Sequence, residues 1–388
     1  MTFAASFFVA LTVAGTLHGR ILSDAETNLS EEPITVTASL CPRSQGGLHD
    51  FYSEGDYWWP DPQNPDGPYI RRDGMTNPEN FTDHREYMVR LSRIVGNLAS
   101  AYLLTGKDKY VKAIEGHIKA WFSDPSTRMN PNLEYAQAIK GVTKGRGVGI
   151  IDTLHLIEVA QALDRLSDVI DPEVLSSART WFQEYLDWMT GSRNGLDEKN
   201  AKNNHATCWA LQAAVFAKFT GDKEVLSLCK DMYKENLLPS QMAADGSFPQ
   251  EIARTKPYGY SLFNLDQMAA LAFVLSDESK DVWTFTTPDG KNISSGISYM
   301  LPYIKDKSSW PYPADVMFFE YWPVAHPCLI FSSIMDDNTD ALELWKHLDH
   351  FPDNQEVLRN LPIRNPLLWI RDSHPCHAAH SRASQLPR

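Results

Sequence analysis

From about residue 85 the chain sets apolar and polar positions in a helical rhythm. Met88, Leu91, Val95, Leu98, Ala99 and Tyr102 recur at steps of three and four, one apolar stripe of an amphipathic helix. The stripe stops at "LLTGKDKY", where Gly106 suits a helix C-terminus and Asp108 can cap the next start. A second helix runs to about residue 122, and similar patterns cover 151–167, 173–190, 205–219, 223–237, 260–275, 293–304 and 338–349. "LLTGKDKYVKAI" and "KFTGDKEVLSLC" share the order helix, Thr-Gly, charged turn, helix, which suggests stacked helical hairpins. Strand alternation is brief, as in "WTFTT" at 283–287, and no strand–helix–strand rhythm occurs. The pattern predicts an all-α protein: an (α/α) toroid, an incomplete barrel of antiparallel helical hairpins with groove-forming long loops at one end. One such toroid is expected over 21–350, with a partly irregular C-terminal extension over 351–388.

Outside the helices, "YWWPDPQNPDGPYIRRDGMTNP" is punctuated by Pro and Gly every few residues and reads as a long loop. Loops of that length in compact domains are typically lids or binding loops. Residues 21–50 read as an irregular lead-in. The opening "MTFAASFFVALTVAG" is an apolar run too brief to span a bilayer, followed by small residues near Ala14 and Gly15. Residues 1–20 are therefore expected to be a secretory signal peptide, although the usual basic start is missing. Three sequons, at Asn28, Asn80 and Asn292, agree with a secreted glycoprotein. No other segment is apolar enough to cross a membrane, so no membrane partner is expected.

Composition narrows the class. With 43% hydrophobic and 22% charged residues the chain is an ordinary globular protein. A net charge of −13 argues against a nucleic-acid partner, which needs a basic face. The 11 Trp and 15 Tyr could be core or the lining of a sugar groove. Five cysteines with no CxxC spacing argue against a metal cage. A disulfide between Cys41 and a C-terminal cysteine is open, while Cys208 sits in an apolar helix pattern as a buried thiol. His374, His377 and His380 lie in a polar tail that reads as a disordered end, so no metal or other cofactor is expected.

Three stretches could carry chemistry. "KNNHATCW" sets Asn203, Asn204 and His205 at the mouth of an apolar helix. One asparagine can cap that helix, which leaves the other amide and the imidazole to hold or deprotonate a substrate. "DGSFPQEIARTKPYGYSLFNLD" places Arg254, Lys256, Tyr258 and Tyr260 just before another apolar helix. A tyrosine beside an arginine, with Asn and His from a second helix, suits β-elimination from a uronate, because an arginine favours the phenolate. The sugar's C5 hydrogen becomes acidic once close donors neutralise its carboxylate, and tyrosine can act as both base and acid when H5 and O4 share a face. The third stretch, 128–152, carries Gln137, Lys140, Lys144 and Arg146 among glycines but no phosphate-loop spacing. With Arg71, Arg72, Lys202 and Arg254 these cations could form a basic groove for an anionic polymer. A carboxylate pair such as Asp56 and Asp61 leaves a glycoside hydrolase open.

Taken in order, "GDYWWPDP" with "PYIRRDG" and "NPE", "WFSDPSTRMNPNLEYAQAI", "GRGVGIIDT", "KNNHATCW" and "GSFPQEIARTKPYGYSLFNLD" resemble the alginate-lyase-like polysaccharide lyases over about 50–275. The resemblance implies an α/α toroid that cleaves acidic polysaccharides by β-elimination without a metal. It matches Asn204 and His205 to the family's Asn-His pair, Arg254 to its arginine and Tyr260 to its catalytic tyrosine. The Arg-to-Tyr spacing is one residue shorter than in the bacterial enzymes, which keeps Tyr258 as a rival. The 57–74 loop, with Trp58, Trp59, Arg71 and Arg72, looks like the family's substrate-covering region. The expectation is a secreted, monomeric enzyme acting on an acidic polysaccharide, with a hydrolase or a non-catalytic polysaccharide-binding protein as alternatives.

Overall fold

Helices dominate the computed structural model, which describes residues 3–370, and strands are confined to two short pairs. Asp83–Thr105, Asp108–Phe122, Pro172–Gly191, Asn204–Thr220, Pro257–Leu275 and Ile293–Lys305 fall where the apolar period puts them. The two Thr-Gly turns work alike: Gly106 (φ 66°) and Gly221 (φ 85°) end their helices in the left-handed conformation that lacks a Cβ penalty. The following starts differ. Asp222 accepts from the backbone of Glu224 and Val225, whereas Asp108 is the first residue of its helix and caps nothing. The segment at 283–287 is the end of a turn followed by irregular chain, with no strand.

The helices pack in a closed circuit. Phe3–Asn28 lies against Asp83–Thr105, which meets Leu156–Arg165; the circuit continues through Asn204–Thr220, Pro257–Leu275 and Pro327–Met335 and returns to Phe3–Asn28. Outer helices such as Asp108–Phe122, Lys223–Met232 and Thr339–Lys346 back onto it. This is the α/α toroid expected from the periodicity. Asn204–Thr220 and Pro257–Leu275 are buried on nearly every side, and their alanines let the two helices pack together without a polar face.

Two expectations change. The apolar start runs as one helix to Asn28, so residues 21–28 are not irregular, and Ala5–Asn28 is long and apolar enough to cross a membrane by length and composition. In the fold, Val9, Val13, Leu17, Ile21 and Ala25 of this helix enter the core while Phe7, Phe8 and Leu11 stay exposed. The sequon asparagines are engaged: Asn28 is buried and bonded to Glu31, Asn80 donates to Gly55, and Asn292 caps a helix. Beyond residue 350 the chain is built into the toroid. Gln355–Asn360 is helical, residues 361–370 are largely buried, and Glu158 accepts from the backbone of Arg364 and Asn365.

Cys41, Cys208, Cys229 and Cys328 are buried and unbonded to one another. Cys376 and the three tail histidines lie outside the described residues.

Because Ile21 is buried in the N-terminal helix, Ile21→Ala is expected to lower stability by about 2–5 kcal/mol in denaturant unfolding. An unchanged midpoint would mean that this helix is not part of the folded ring.

Candidate active site

The cleft forms where the starts of Asn204–Thr220 and Pro257–Leu275 meet the loops around residues 55–74 and 137–148, with a volume of about 280 Å³. At the first helix start, Asn203 is extended (φ −136°) and its side chain accepts from the His205 backbone at 3.3 Å. Capping therefore falls to Asn203, and its two neighbours are free for other roles. Asn204 gives both its backbone N–H (2.8 Å) and its amide (2.7 Å) to the buried carboxylate of Glu251. Burial pushes the Glu251 carboxyl up, against the pull of those Asn204 donors. His205 Nδ1 lies 2.5 Å from Glu198 Oε1, whose side chain is almost wholly buried. A carboxylate acceptor requires the proton on Nδ1 and leaves Nε2 as the free ring nitrogen.

The second helix start supplies Arg254 and Tyr260. Arg254 is held by Asp73 at 2.8 and 3.1 Å, and its guanidinium sits 4.6 Å from the centre of the Tyr260 ring. Asp73 also accepts from Arg71 (2.6 Å) and from the Thr255 hydroxyl (3.0 Å), so one carboxylate ties the 57–74 loop to this segment. Burial raises the Asp73 carboxyl and Arg254 more than reverses that, bringing it to about 2. The Tyr260 hydroxyl contacts the Tyr57 hydroxyl at 2.6 Å. Burial pushes the Tyr260 phenol well above its ordinary value, and Arg254 only partly opposes this. The expectation that the arginine makes a phenolate is thus corrected: the resting group is a neutral phenol.

Tyr258 is removed as a rival. It is fully buried against Trp310 and Phe319, and its hydroxyl donates to the Tyr303 carbonyl. Two residues along a helix cannot share a face, so the ring turns into the core while Tyr260 turns to the cleft. Lys256 is also withdrawn, buried in an ion pair with Glu356 at 2.7 Å.

The opposite wall is made of Gln137, Arg146, Trp58 and Arg359. Gln137 has a left-handed backbone (φ 53°); its amide donates to Asp56, and its oxygen accepts from Arg146 at 3.0 Å. Asp56 is buried between Arg85 and Arg359, and although burial opposes ionisation, those arginines hold its carboxyl well below the usual range. It cannot serve as a general acid, and Asp61 lies outside the cleft lining, so that carboxylate pair offers no hydrolase site.

Of the basic groove read from sequence, Arg71, Arg146 and Arg254 reach the cleft. Trp59 instead donates to the Met75 carbonyl and stacks with exposed Arg72, both outside the cleft lining. Lys140 and Lys144 cover Tyr69 and Tyr135 and face a separate depression with Arg43, and Lys202 is exposed.

Several residues of the site escaped the sequence reading. Tyr57 and Glu251 stood inside stretches already singled out, but nothing in a linear pattern tells which neighbour turns inward. Glu198 lies on the preceding short helix. Arg359 comes from a tail without any motif.

The toroid fold and its match to known lyases define the class: the protein is a polysaccharide lyase. Residues 35–310 match the alginate lyase family, and the chain belongs to it. An alginate lyase from Bacteroides ovatus shares 30% identity and a TM-score of 0.78, covering 95% of this chain and 97% of that one. Alginate lyase A1-III from Sphingomonas species A1 matches at 15% identity and a TM-score of 0.53, over 83% of this chain and 85% of its own. A Tyr→Phe variant of A1-III, crystallised with a tetrasaccharide, matches at 15% identity and a TM-score of 0.56, over 81% and 83% of the two chains. No curated protein matches the chain.

Tyr258→Phe is expected to cost about 1 kcal/mol of stability through the lost bond to Tyr303 while leaving turnover within a few-fold. Glu198→Gln should lower kcat/KM roughly tenfold or more and alter its pH profile, with the melting temperature little changed. An unaltered profile would show that Glu198 does not set the His205 tautomer.

Proposed function

We propose that the protein is a secreted lyase that cleaves a β-1,4-linked polyuronate, mannuronate-rich alginate or glucuronan, by β-elimination. The observation that carries this reading is the convergence of Asn204, His205, Arg254 and Tyr260 on one arginine-rich cleft. In the reaction the uronate carboxylate meets Asn204, His205 and Arg254, whose donors stabilise the enolate-like intermediate. The C5–H electrons become the C4=C5 double bond as the C4–O4 bond breaks, and the departing O4 takes a proton. In both polymers H5 and O4 lie on one face, so a single group can serve both steps, and Tyr260 is that group. Its neutral resting form is ready to donate. To accept H5 it must first have lost its own proton to solvent. The resulting phenolate accepts a hydrogen bond from the Tyr57 hydroxyl, has Arg254 over its ring to stabilise it, and then hands the H5 proton to the departing O4.

Asn203, Trp58, Arg71, Gln137 and Arg146 would bind the flanking sugars, with Trp58 offering an aromatic face. Residues 1–20 are the stretch that would carry export, consistent with an extracellular polymer as substrate. The hydrolase alternative lacks an available acid in Asp56.

Incubation with alginate blocks and glucuronan should generate the ultraviolet absorbance of a C4=C5 bond, and Tyr260→Phe should remove about 10²–10⁴-fold of the rate. No absorbance on any polyuronate would end this reading. Since the phenol must ionise, kcat/KM should also climb with pH above neutrality, the deprotonated fraction growing toward a raised pKa.

A further inference from the structure

The helix that carries Tyr260 has no cap of its own. Lys256 stands at the N-cap position, where its side chain has no acceptor to offer and is drawn instead to Glu356. Pro257 has no N–H, and the Tyr260 N–H makes the first intrahelical bond, to the Lys256 carbonyl at 3.0 Å. The backbone donors of Tyr258 and Gly259 are left over, as at any helix start. One side chain from a distant loop takes both. Asp315 Oδ1 accepts from Tyr258 at 2.9 Å, and its Oδ2 accepts from Gly259 at 2.9 Å.

The fit is close. A Cβ at Gly259 would come within 2.8 Å of Asp315 Oδ2, so a larger residue there would push the carboxylate off one of its donors. The next residue of the loop adds another bond, from the Val316 N–H to the Thr255 carbonyl at 3.1 Å. Asp73 grips the same turn from the other side, through Arg254 and the Thr255 hydroxyl. The turn from Arg254 to Tyr260 is thus held by a carboxylate at each end, and Asp315 itself does not line the cleft. Burial pushes the Asp315 carboxyl up to about 6, against its two backbone donors and the charges of Lys256 and Lys307, so it is an anion at neutral pH and above. Its other titratable neighbour, the Tyr258 phenol, is raised by burial and by Asp315 and stays neutral. An anion at this place also meets the positive end of the helix dipole.

We propose that Asp315 is a positioning residue for the elimination: by clamping the Tyr258 and Gly259 N–H groups it fixes where the helix begins and keeps the Tyr260 phenol beside the Arg254 guanidinium. This rests on the polyuronate lyase reading above. Arg254 stands 4.6 Å from the centre of the Tyr260 ring and opposes the rise that burial imposes on the phenol. That opposition weakens with distance, so a frayed helix start moves the ring from its cation and makes the phenolate harder to form. The loss then falls on proton transfer rather than on sugar binding.

The test measures kcat and KM on a polymannuronate or polyglucuronate tetrasaccharide across the neutral and alkaline range, with thermal unfolding as the check on folding. Asp315→Asn keeps one acceptor and sets an amide N–H against the other donor. It is expected to lower kcat about 10- to 100-fold with KM within a few-fold. It should also move the alkaline rise of kcat/KM to higher pH by about one unit. Asp315→Glu retains both oxygens and should recover part of the loss. Gly259→Ala disturbs the clamp without altering Asp315, and should reproduce the kcat loss and the pH displacement even though alanine favours the helix. An alkaline rise that stays at the wild-type pH in both Asp315→Asn and Gly259→Ala overturns the proposal, since a smaller folded fraction scales the rate without moving its pH dependence. Wild-type turnover in that case leaves the lyase reading intact, and a wild type inactive on every polyuronate overturns both.

Discussion

Two buried carboxylates hold the centre of this protein in shape. Glu251 takes the backbone N–H and one amide N–H of Asn204, and Glu198 takes the Nδ1 proton of His205. Neither acid lines the cleft, yet together they decide which way the amide and the imidazole face. Burying a carboxylate is costly unless its lone pairs are met. Here the requirement works in reverse: because the acids must be satisfied, the side chains that satisfy them lose their rotational freedom. The helix start at residues 203–205 is therefore rigid before any sugar enters, as electrostatic catalysis requires.

The same logic runs through the arginines. The chain carries a net charge of −13, but its cleft gathers Arg71, Arg146, Arg254 and Arg359. Asp73 and Asp56 lie among them and are shared, each bridging two guanidinium groups. Sharing leaves positive charge in excess where an acidic polymer would lie. It also sets geometry, since Asp73 joins the loop over the cleft to the segment that carries Tyr260.

Much of the architecture was legible in the residue pattern. The period of three and four located the principal helices, and the Thr-Gly turns marked two hairpins because glycine alone enters the left-handed cap without strain. Asn204, His205, Arg254 and Tyr260 were legible as neighbours of helix starts. What failed did so for one reason: position along the chain does not state direction in space. Tyr258 and Tyr260 are two residues apart, and helical geometry sends one to the core and the other to the cleft. Trp58 and Trp59 alternate across a strand in the same way. The first helix reads as a leader in the sequence and packs against the ring in the fold, because apolar composition suits either role.

By itself, then, the sequence determined the helical class, the hairpin turns and the four residue types suited to elimination, since periodicity, capping and chemical type are local properties. Tertiary structure decided the rest: which tyrosine faces the cleft, which arginines are paired with an acid, and that Arg359 from a late segment of the chain reaches the same cleft. Those outcomes depend on which segments meet across the ring, and burial, pairing and pKa follow from that meeting rather than from the order of residues.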